Sequence, residues 1–297
     1  MGVRLSDPVR LFIFGLGYSA SAFAHAFRAK ADWIGGTVRE PDKAASLASD
    51  GLHTFVFDGE NPGAGVAEAL RDATHVLVSI APGTADPVLA VHGGTIRDAP
   101  HLRWIGYLST VGVYGDHGGD WVDEATAPRP VSRRSRERVV AEEAWSALAA
   151  ECGVPLAIFR LAGIYGPGRN AFVNLAGGRA KRIVKPGQVF NRIHVDDIAQ
   201  VLAAAVTLNA SGVFNVADEE PAPPQDVVAY AAGLMGVDPP PEVPFDDADM
   251  TPMARSFYGE NKRVSNRRLK NDLGVVLRYP TWREALTALW QDGNWRG

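Results

Sequence analysis

The chain has 297 residues, 46% of them hydrophobic, and a formal net charge of -4. This is the composition of a globular protein whose core needs no disulfides, and the charge excludes a basic nucleic-acid-binding domain. Cys152 is the only cysteine, and no segment has the ~18 uncharged apolar residues of a membrane span. Because the start shows no signal-peptide pattern and the histidines are scattered, we expect a cytoplasmic monomer or homodimer without a metal site or membrane partner.

Short apolar runs alternate with helical patterns through the first two-thirds of the chain. Strands are predicted at 11–14, 34–38, 54–57, 75–80, 103–108 and 156–160. Helices are predicted at 20–27, 42–49, 66–71 and 132–150. Because the strands are continuously apolar and separated by helices, the fold class is α/β, a Rossmann-type doubly wound parallel sheet covered on both faces.

The rest of the chain breaks this alternation. Residues 167–192 are rich in Gly, Arg and Lys, and a helix at 195–206 and a strand at 213–216 follow. Proline clusters then separate short helices, such as one at 227–234. We therefore predict a Rossmann dinucleotide-binding domain over residues 1–170, with 193–216 returning to it, and a small C-terminal substrate-side region formed by 171–192 and 217–297.

A glycine-rich loop joins the first strand to the first helix. It reads G-x-G-x-x-A over residues 15–20, a pattern that is weak alone and specific between a strand and an amphipathic helix. Gly15 permits a tight turn, Gly17 lets a pyrophosphate approach the backbone, and Ala20 lets helix and strand touch. The helix N-terminus at Tyr18 and Ser19 attracts the anion. The loop predicts bound NAD or NADP, and the alternative is a plain glycine turn.

Arg39 follows the second strand, where an acidic residue would bind the ribose hydroxyls of NAD. An arginine there suits the 2′-phosphate of NADP. The alternative is a solvated arginine at a strand end, so the sequence favours NADP without excluding NAD.

Five segments, in this order and spacing, carry a family resemblance. They are 15–20 (the glycine loop), 108–115 (Leu-Ser-Thr to Val-Tyr-Gly), 160–169 (Arg-Leu-Ala-Gly-Ile-Tyr-Gly-Pro-Gly-Arg), 194–197 (His-Val-Asp-Asp) and 214–217 (Phe-Asn-Val-Ala). Over nearly its whole length the chain resembles the short-chain dehydrogenases/reductases. More narrowly, it is similar to the extended NAD(P)-dependent epimerase/dehydratase group, as an atypical member.

The resemblance implies positions for the cofactor and the reacting groups. Asp58, after the third strand, would approach the adenine. Ser109 and Thr110 would end the fifth strand, where family members hydrogen-bond the reacting oxygen. The alternative is that these hydroxyls only form hydrogen bonds with backbone groups of the loop. The cofactor would also be lined by three residues after the fourth strand, Ser79, Ala81 and Pro82.

The family's catalytic Tyr-x-x-x-Lys is replaced in this chain. In the family register, Arg134 stands in place of the tyrosine and Arg138 in place of the lysine. Arginine cannot transfer a proton because its pKa lies above ~12, whereas Arg138 can still bind ribose hydroxyls of the cofactor. The alternative is a solvated helix face. Tyr258 and Lys262 repeat the spacing in a proline-broken region, where we interpret it as coincidence.

Two further departures from the family pattern limit the range of possible substrates. Val111 and Gly112 stand where dehydratases of the group have Asp-Glu, which argues against sugar-nucleotide dehydration. Phe190 stands where many members have an arginine, four residues before His194, which argues against a nucleotide sugar.

Two functions from different classes are compatible with these residues. The first is an NAD(P)-dependent oxidoreductase or epimerase with a non-standard acid/base, for which Tyr114 is the first candidate and Tyr165 and His194 are others. The alternative for Tyr114 is a buried tyrosine with a satisfied hydroxyl. The second function is a non-catalytic, NADP-sensing regulatory protein.

Arginines dominate the predicted substrate side. Besides Arg138, the candidates are Arg134, Arg169 and Arg192. Several arginines around one cleft repel one another unless an anion balances them, which predicts a small substrate bearing a carboxylate or phosphate. The alternative is that the chain's own acids neutralise them: Asp116, Asp123 or Glu124.

Overall fold

The computed structural model describes residues 8–297. Its strands are β1 (Arg10–Phe14), β2 (Trp33–Val38), β3 (His53–Val56), β4 (His75–Val78), β5 (Trp104–Thr110), β6 (Trp121–Val122), β7 (Leu156–Leu161), β8 (Gly163–Tyr165), β9 (Arg182–Val184), β10 (Arg192–His194), β11 (Gly212–Val216), β12 (Glu242–Pro244) and β13 (Arg263–Val264). Its helices are α1 (Tyr18–Phe27), α2 (Pro41–Ser49), α3 (Val66–Asp72), α4 (Pro87–Arg97), α5 (Arg133–Cys152), α6 (Ala171–Ala176), α7 (Val195–Leu208), α8 (Pro224–Met235), α9 (Pro252–Phe257), α10 (Arg267–Leu273) and α11 (Trp282–Gln291).

Seven strands form one parallel sheet in the order β11-β7-β5-β4-β1-β2-β3. The predicted Rossmann-type sheet is therefore confirmed. From β1 the chain winds outward through β2 and β3, then returns to β4 and winds the other way to β11. Open α/β sheets bind ligands where this direction reverses, at the carboxyl ends of the strands. In this chain that point lies between β1 and β4.

The first strand shows why the sheet reads as continuously apolar. Leu11 and Ile13 pack into the core cluster that contains α1 and α7, on one face of the sheet. Phe12 and Phe14 pack into the cluster under α3, α4 and α5, on the other face. All four side chains are fully buried. A strand with helices on both faces needs apolar residues at every position.

Helix α4 was missing from the sequence prediction. It contains Gly93 and Gly94, which lower its helical propensity, and its apolar face is short. Its start carries a clear signal, because Asp86 caps the helix and accepts hydrogen bonds from the backbone N–H groups of Val88 and Leu89. Pro87 at the first helical position completes that signal.

A third apolar cluster lies outside the large sheet and is built from α6, α8 and α11, with Phe172, Val227 and Trp282 among its members. Three short parallel strand pairs are also absent from the prediction: β10 with β8, β12 with β9, and β13 with β6. Strands β8 and β6 follow the sheet strands β7 and β5 in sequence, whereas β9 and β12 both lie outside the sheet region. The division at residues 170, 193 and 217 stays a prediction. None of the helices within 8–297 combines the length and apolar character that a membrane crossing requires.

Candidate functional site

The glycine loop lies between β1 and α1, at the point where the sheet reverses. Gly15 has a φ of 90°, which favours glycine, and a Cβ there would lie 2.8 Å from Cγ1 of Ile80. The buried Thr37 at the end of β2 fixes the turn. Its hydroxyl accepts a hydrogen bond from Gly15 N at 2.9 Å, and its carbonyl accepts one from Leu16 N at 2.7 Å. The protein itself therefore requires glycine at position 15.

Gly17 differs from Gly15, because nothing in the protein requires glycine there. Its backbone has φ -85° and ψ -169°, which any residue adopts, and a Cβ would meet no atom within 4 Å. Gly17 is also the N-cap of α1, which has no capping side chain and no acidic residue in its first turn. An open approach to an uncapped, positively polarised helix N-terminus fits a pyrophosphate. Tyr18, Ser19 and Ala20 form the first turn behind it.

The predicted cofactor residues beyond the loop lie at the carboxyl edge of the sheet. Arg39 is exposed directly after β2, and it makes no hydrogen bond or ion pair to any described residue. Asp58 is exposed after β3 and accepts hydrogen bonds from the backbone of Glu60 and Asn61, which lower its pKa to about 2. After β4 come the three remaining predicted residues: Ser79, Ala81 and Pro82.

Ser109 does not face the cleft, contrary to the prediction. It is 4% exposed, and its hydroxyl donates to Oε1 of Glu142 at 2.5 Å. The guanidinium of Arg160 holds the same carboxylate, at 2.7 Å from Nη2 to Oε2 and 3.2 Å from Nε to Oε1. Ser109 is thus one member of a buried Ser109–Glu142–Arg160 cluster. The catalytic role predicted for it is wrong, because its proton is already donated inside the protein.

Thr110 is the hydroxyl that remains available at the end of β5. It is partly buried, and its Oγ1 accepts a hydrogen bond from Gly112 N at 3.1 Å. That bond uses an oxygen lone pair and leaves the hydroxyl proton free to donate. Arg138 donates from Nη1 to the carbonyl of Leu108, two residues before Thr110, at 2.5 Å and to the hydroxyl of Tyr107 at 3.1 Å. Arg138, which stands in place of the family's lysine, therefore contacts β5 near its carboxyl end.

Tyr114 is wrong as the acid/base. It is fully buried, its hydroxyl donates to Oδ1 of Asn215 at 2.7 Å, and the guanidinium of Arg160 lies 4.8 Å from the centre of its ring. Burial raises the pKa of the phenol. Tyr114 packs in the core cluster that contains α1 and α7, as a buried tyrosine with a satisfied hydroxyl, which is the alternative that the sequence left open.

The two other acid/base candidates are also buried. Tyr165 is 8% exposed, and burial raises its pKa far above the usual value. His194 is 1% exposed, and burial lowers its pKa to about 4. His194 is the N-cap of α7, since its Nδ1 accepts from Asp196 N at 3.2 Å. It is therefore a neutral, structural imidazole.

The four predicted arginines occupy different surroundings. Arg134 is exposed on α5, with its guanidinium 5.8 Å from the ring centre of Phe257. Arg169 is exposed in the loop after β8, which contacts the glycine loop where the Tyr18 hydroxyl donates to the carbonyl of Pro167 at 2.9 Å. Arg192 is wrong as a member of this group. Its Nη1 is held by two carbonyls inside the C-terminal region, those of Phe190 and Ala222.

The downstream Tyr-x-x-x-Lys is built into structural contacts. Tyr258 is 8% exposed and packs its ring against Phe190 and Phe245. The ammonium of Lys262 donates to the carbonyl of Gly115 and to Oε2 of Glu260, both at 2.7 Å. Both contacts hold the ammonium of the buried Lys262 inside the protein.

A cavity of about 710 Å³ lies between residues 121–126 and 264–272. It is lined by acidic and basic side chains, including Glu124 and Arg268, and it contains none of the predicted cofactor residues. This cavity therefore does not mark the dinucleotide cleft, whose predicted position rests on the glycine loop and the strand ends.

The comparisons agree with this geometry. Residues 95–217 match the model of the NAD dependent epimerase/dehydratase family. A functionally unknown conserved protein from Silicibacter pomeroyi is 51% identical in sequence, with a TM-score of 0.88 over 96% of this chain and 99% of that one. Protein YeeZ of Escherichia coli is 25% identical over 283 residues, covering 91% of this chain and 96% of YeeZ. A 3-diazoavenalumate denitrifying reductase from Streptomyces is 29% identical over 142 residues, which is 43% of this chain and 45% of the reductase. The chain therefore has an NAD-binding Rossmann fold and, over residues 95–217, is similar to the NAD dependent epimerase/dehydratase family.

Proposed function

We propose that the protein is an NADP-dependent oxidoreductase for a small anionic carbonyl or hydroxy compound, with an epimerase as the variant of the same chemistry. The observation that carries this proposal is the uncapped N-terminus of α1, approached past an open Gly17. Strand β5 ends at Thr110 and reaches the same edge of the sheet, and its Leu108 carbonyl accepts a hydrogen bond from Arg138. The name of the Streptomyces reductase supports reduction over epimerisation.

NADP is favoured over NAD by Arg39. Its guanidinium is exposed and makes no ion pair within residues 8–297, so no acid of the described chain neutralises it. A 2′-phosphate would supply the missing partner through charge-assisted hydrogen bonds.

Thr110 and Arg138 are proposed to bind the reacting oxygen. A bound nicotinamide supplies hydride transfer. Thr110 retains a hydroxyl proton to donate, and Arg138 has N–H groups beyond the Nη1 that holds β5. Donors fixed by backbone contacts stabilise the negative charge that develops on a carbonyl oxygen. Because Tyr114, Tyr165 and His194 are buried, we propose that solvent water supplies the proton.

The anionic substrate is favoured by unbalanced arginines. Arg134 and Arg169 are exposed and form no ion pair within the described part of the chain. The acids that could have neutralised them accept hydrogen bonds from backbone N–H groups elsewhere: Asp116 from Gly118 and Asn261, Asp123 from Ala125, and Glu124 from Asn215. A carboxylate or phosphate on the substrate would balance this charge.

The test offers NADPH and a panel of aldehydes and ketones, each as a carboxylate and as its neutral amide. We expect NADPH to be consumed at least ~10-fold faster with one or more carboxylates than with the matched amide, since a charge-assisted contact contributes about 1.5–3 kcal/mol. The Arg134→Ala/Arg169→Ala variant, which keeps Arg138, should lose this preference. The control is Arg133→Ala/Arg136→Ala, which removes two exposed arginines of α5, the helix that carries Arg134. Equal rates with carboxylates and amides would contradict the anionic substrate.

A non-catalytic NADP sensor is the second candidate. It is favoured by one observation, that the tyrosine and histidine candidates for an acid/base are all buried. Tight NADPH binding without consumption by any member of the panel would identify the sensor and reject the enzyme.

A further inference from the structure

A second, smaller cavity lies within the C-terminal region, apart from the glycine loop. Its volume is about 90 Å³, and it is enclosed by β8, β10, α6, α8 and α11. A water molecule needs ~15 Å³ on this measure, so the cavity holds about six water-sized groups. The polar side chains that line it are Tyr165, Asn170, Arg192 and Trp282, and Val227 and Leu286 are apolar parts of the wall.

Two buried donors of this wall have no partner among residues 8–297. They are the hydroxyl of Tyr165 and the indole Nε1 of Trp282. Tyr165 is 8% exposed and Trp282 is 0% exposed, so bulk water does not satisfy them. A buried donor without an acceptor costs about 1–3 kcal/mol, so two in one small cavity point to an occupant.

Arg192 adds a positive charge to the same wall. Its Nη1 is fixed by the carbonyls of Phe190 and Ala222, at 3.0 Å and 3.1 Å, and its other N–H groups make no hydrogen bond to the described chain. Among the acids, the buried Asp218 has the largest electrostatic effect on the pKa of Arg192, and its Oδ2 has no hydrogen-bond partner among the described residues. Asp218 forms no ion pair with Arg192 and does not line the cavity.

Apart from the hydroxyl oxygen of Tyr165 itself, the side chains of the wall offer no free acceptor to match these donors. Asn170 is fully engaged, since its Nδ2 donates to the carbonyls of Gly166 and Trp295 and its Oδ1 accepts from Val173 N. Water molecules in the cavity would have to point O–H groups at Val227 and Leu286. A ligand that only accepts hydrogen bonds, with a short apolar part, matches the wall better than water does.

We propose that this cavity binds a small aliphatic carboxylate. Its oxygens accept hydrogen bonds from Arg192, Tyr165 and Trp282, and its carbon atoms pack against Val227 and Leu286. The site is distinct from the dinucleotide cleft, and it does not depend on the function proposed above. It adjoins that cleft through the chain, because Tyr165 directly precedes the loop whose Pro167 carbonyl binds the Tyr18 hydroxyl.

The indole N–H of Trp282 reports on this site directly. The chain has seven tryptophans, and Trp282→Phe identifies the Trp282 indole signal in a ¹H–¹⁵N spectrum by its disappearance. Acetate, propionate and lactate are titrated into the full chain without nucleotide, alongside acetamide, propionamide and lactamide. We expect at least one carboxylate to shift the Trp282 signal in a saturable manner, and its amide not to.

Tyr165→Phe removes one hydroxyl and nothing else, and it should weaken carboxylate binding at least fivefold. Trp121→Phe, at a tryptophan that is 61% exposed, is the control and should leave the titration unchanged. The proposal is overturned if no carboxylate shifts the Trp282 signal, which would mean water alone, or if the amides act equally. It is also overturned if Tyr165→Phe binds as the parent protein does. The carboxylate titration contains no nucleotide, so its outcome can be interpreted even if the protein does not bind a dinucleotide.

Discussion

Ser109 and Thr110 are adjacent hydroxyls with opposite environments, and this difference is testable. Ser109→Ala should lower the free energy of unfolding by about 1–3 kcal/mol, because Glu142 loses a buried donor. Thr110→Val should change it by less than about 1 kcal/mol and lower turnover of any substrate found by ~100-fold, as expected for a lost oxyanion donor. Chemical denaturation and steady-state kinetics on both variants decide between them. A turnover loss in Ser109→Ala larger than in Thr110→Val would contradict the assignment.

Arg39 governs the choice between the two dinucleotides. The protein should bind NADPH at least ~10-fold more tightly than NADH, and Arg39→Ala should abolish that ratio with little effect on NADH. Calorimetric titration of both nucleotides measures it. The exposed Arg71 at the end of α3 provides a control, since Arg71→Ala should keep the ratio. A parent protein that binds both equally would show Arg39 to be a surface charge.

At this scale, the sequence predicted the types of residue at the strand ends but not which side chains point inward. The spacing placed Ser109 and Thr110 at the end of β5, yet only the structure shows that the Ser109 hydroxyl donates its hydrogen bond to Glu142. A signal was present, because Arg160 is a charged residue within an apolar strand, and such a residue needs a buried partner. Tyr114 gave no comparable signal, since a buried and an exposed tyrosine are identical in sequence.

Strand β4 carries a pH-sensitive contact at its amino end, opposite the glycine loop. His75 bonds the hydroxyl of Thr74 through Nδ1 and Oδ1 of Asn209 through Nε2, and burial lowers its pKa to about 4. Between pH 4 and the usual histidine value near ~6.5, the unfolded chain binds a proton that the folded chain does not. The free energy of unfolding should therefore fall as the pH is lowered through this window, by up to ~1.4 kcal/mol per pH unit for this residue.

His75→Gln should reduce that slope and leave NADPH affinity unchanged, because the residue lies at the other edge of the sheet. Denaturation at several pH values measures the slope, and the exposed His101→Gln serves as the control. His194, whose pKa is also lowered to about 4, accounts for the pH dependence of stability that remains in the His75→Gln variant. An unchanged slope in His75→Gln, or a loss of NADPH binding, would contradict this account.

The elements themselves were largely predictable. Continuous apolar runs and 3.6-residue patterns predicted the seven sheet strands and six of the eleven helices within residues 8–297, with ends that differ by at most three residues. Helix α4 was missed because two glycines and a narrow apolar face weaken its periodicity. The short pairs such as β8 with β10 were missed because three residues carry too little pattern to distinguish a strand from a loop.

At the scale of the whole molecule, one edge of the sheet combines the features that the proposed function needs. An uncapped helix N-terminus follows β1, an exposed Arg39 follows β2, and Thr110 ends β5, and these three strands are separated in sequence. Arg138 of α5 contacts β5 through the carbonyl of Leu108. The C-terminal region adds a separate cavity under α8 and α11. The family pattern could predict the first arrangement, because its motifs follow the strands. It could not predict the second, because the cavity depends on how Trp282 and Arg192 pack.

Gly17 provides the most direct test of the central claim, that the glycine loop binds the dinucleotide. Because a Cβ at this position meets no protein atom, Gly17→Val should fold with a free energy of unfolding within about 0.5 kcal/mol of the parent. Gly233→Ala is the control, since that glycine also has open space, in the last turn of α8. Calorimetric titration with NADPH should show binding by the parent and by Gly233→Ala, and at least ~100-fold weaker binding by Gly17→Val, whose side chain blocks the pyrophosphate. Unchanged affinity in a folded Gly17→Val variant would contradict the account.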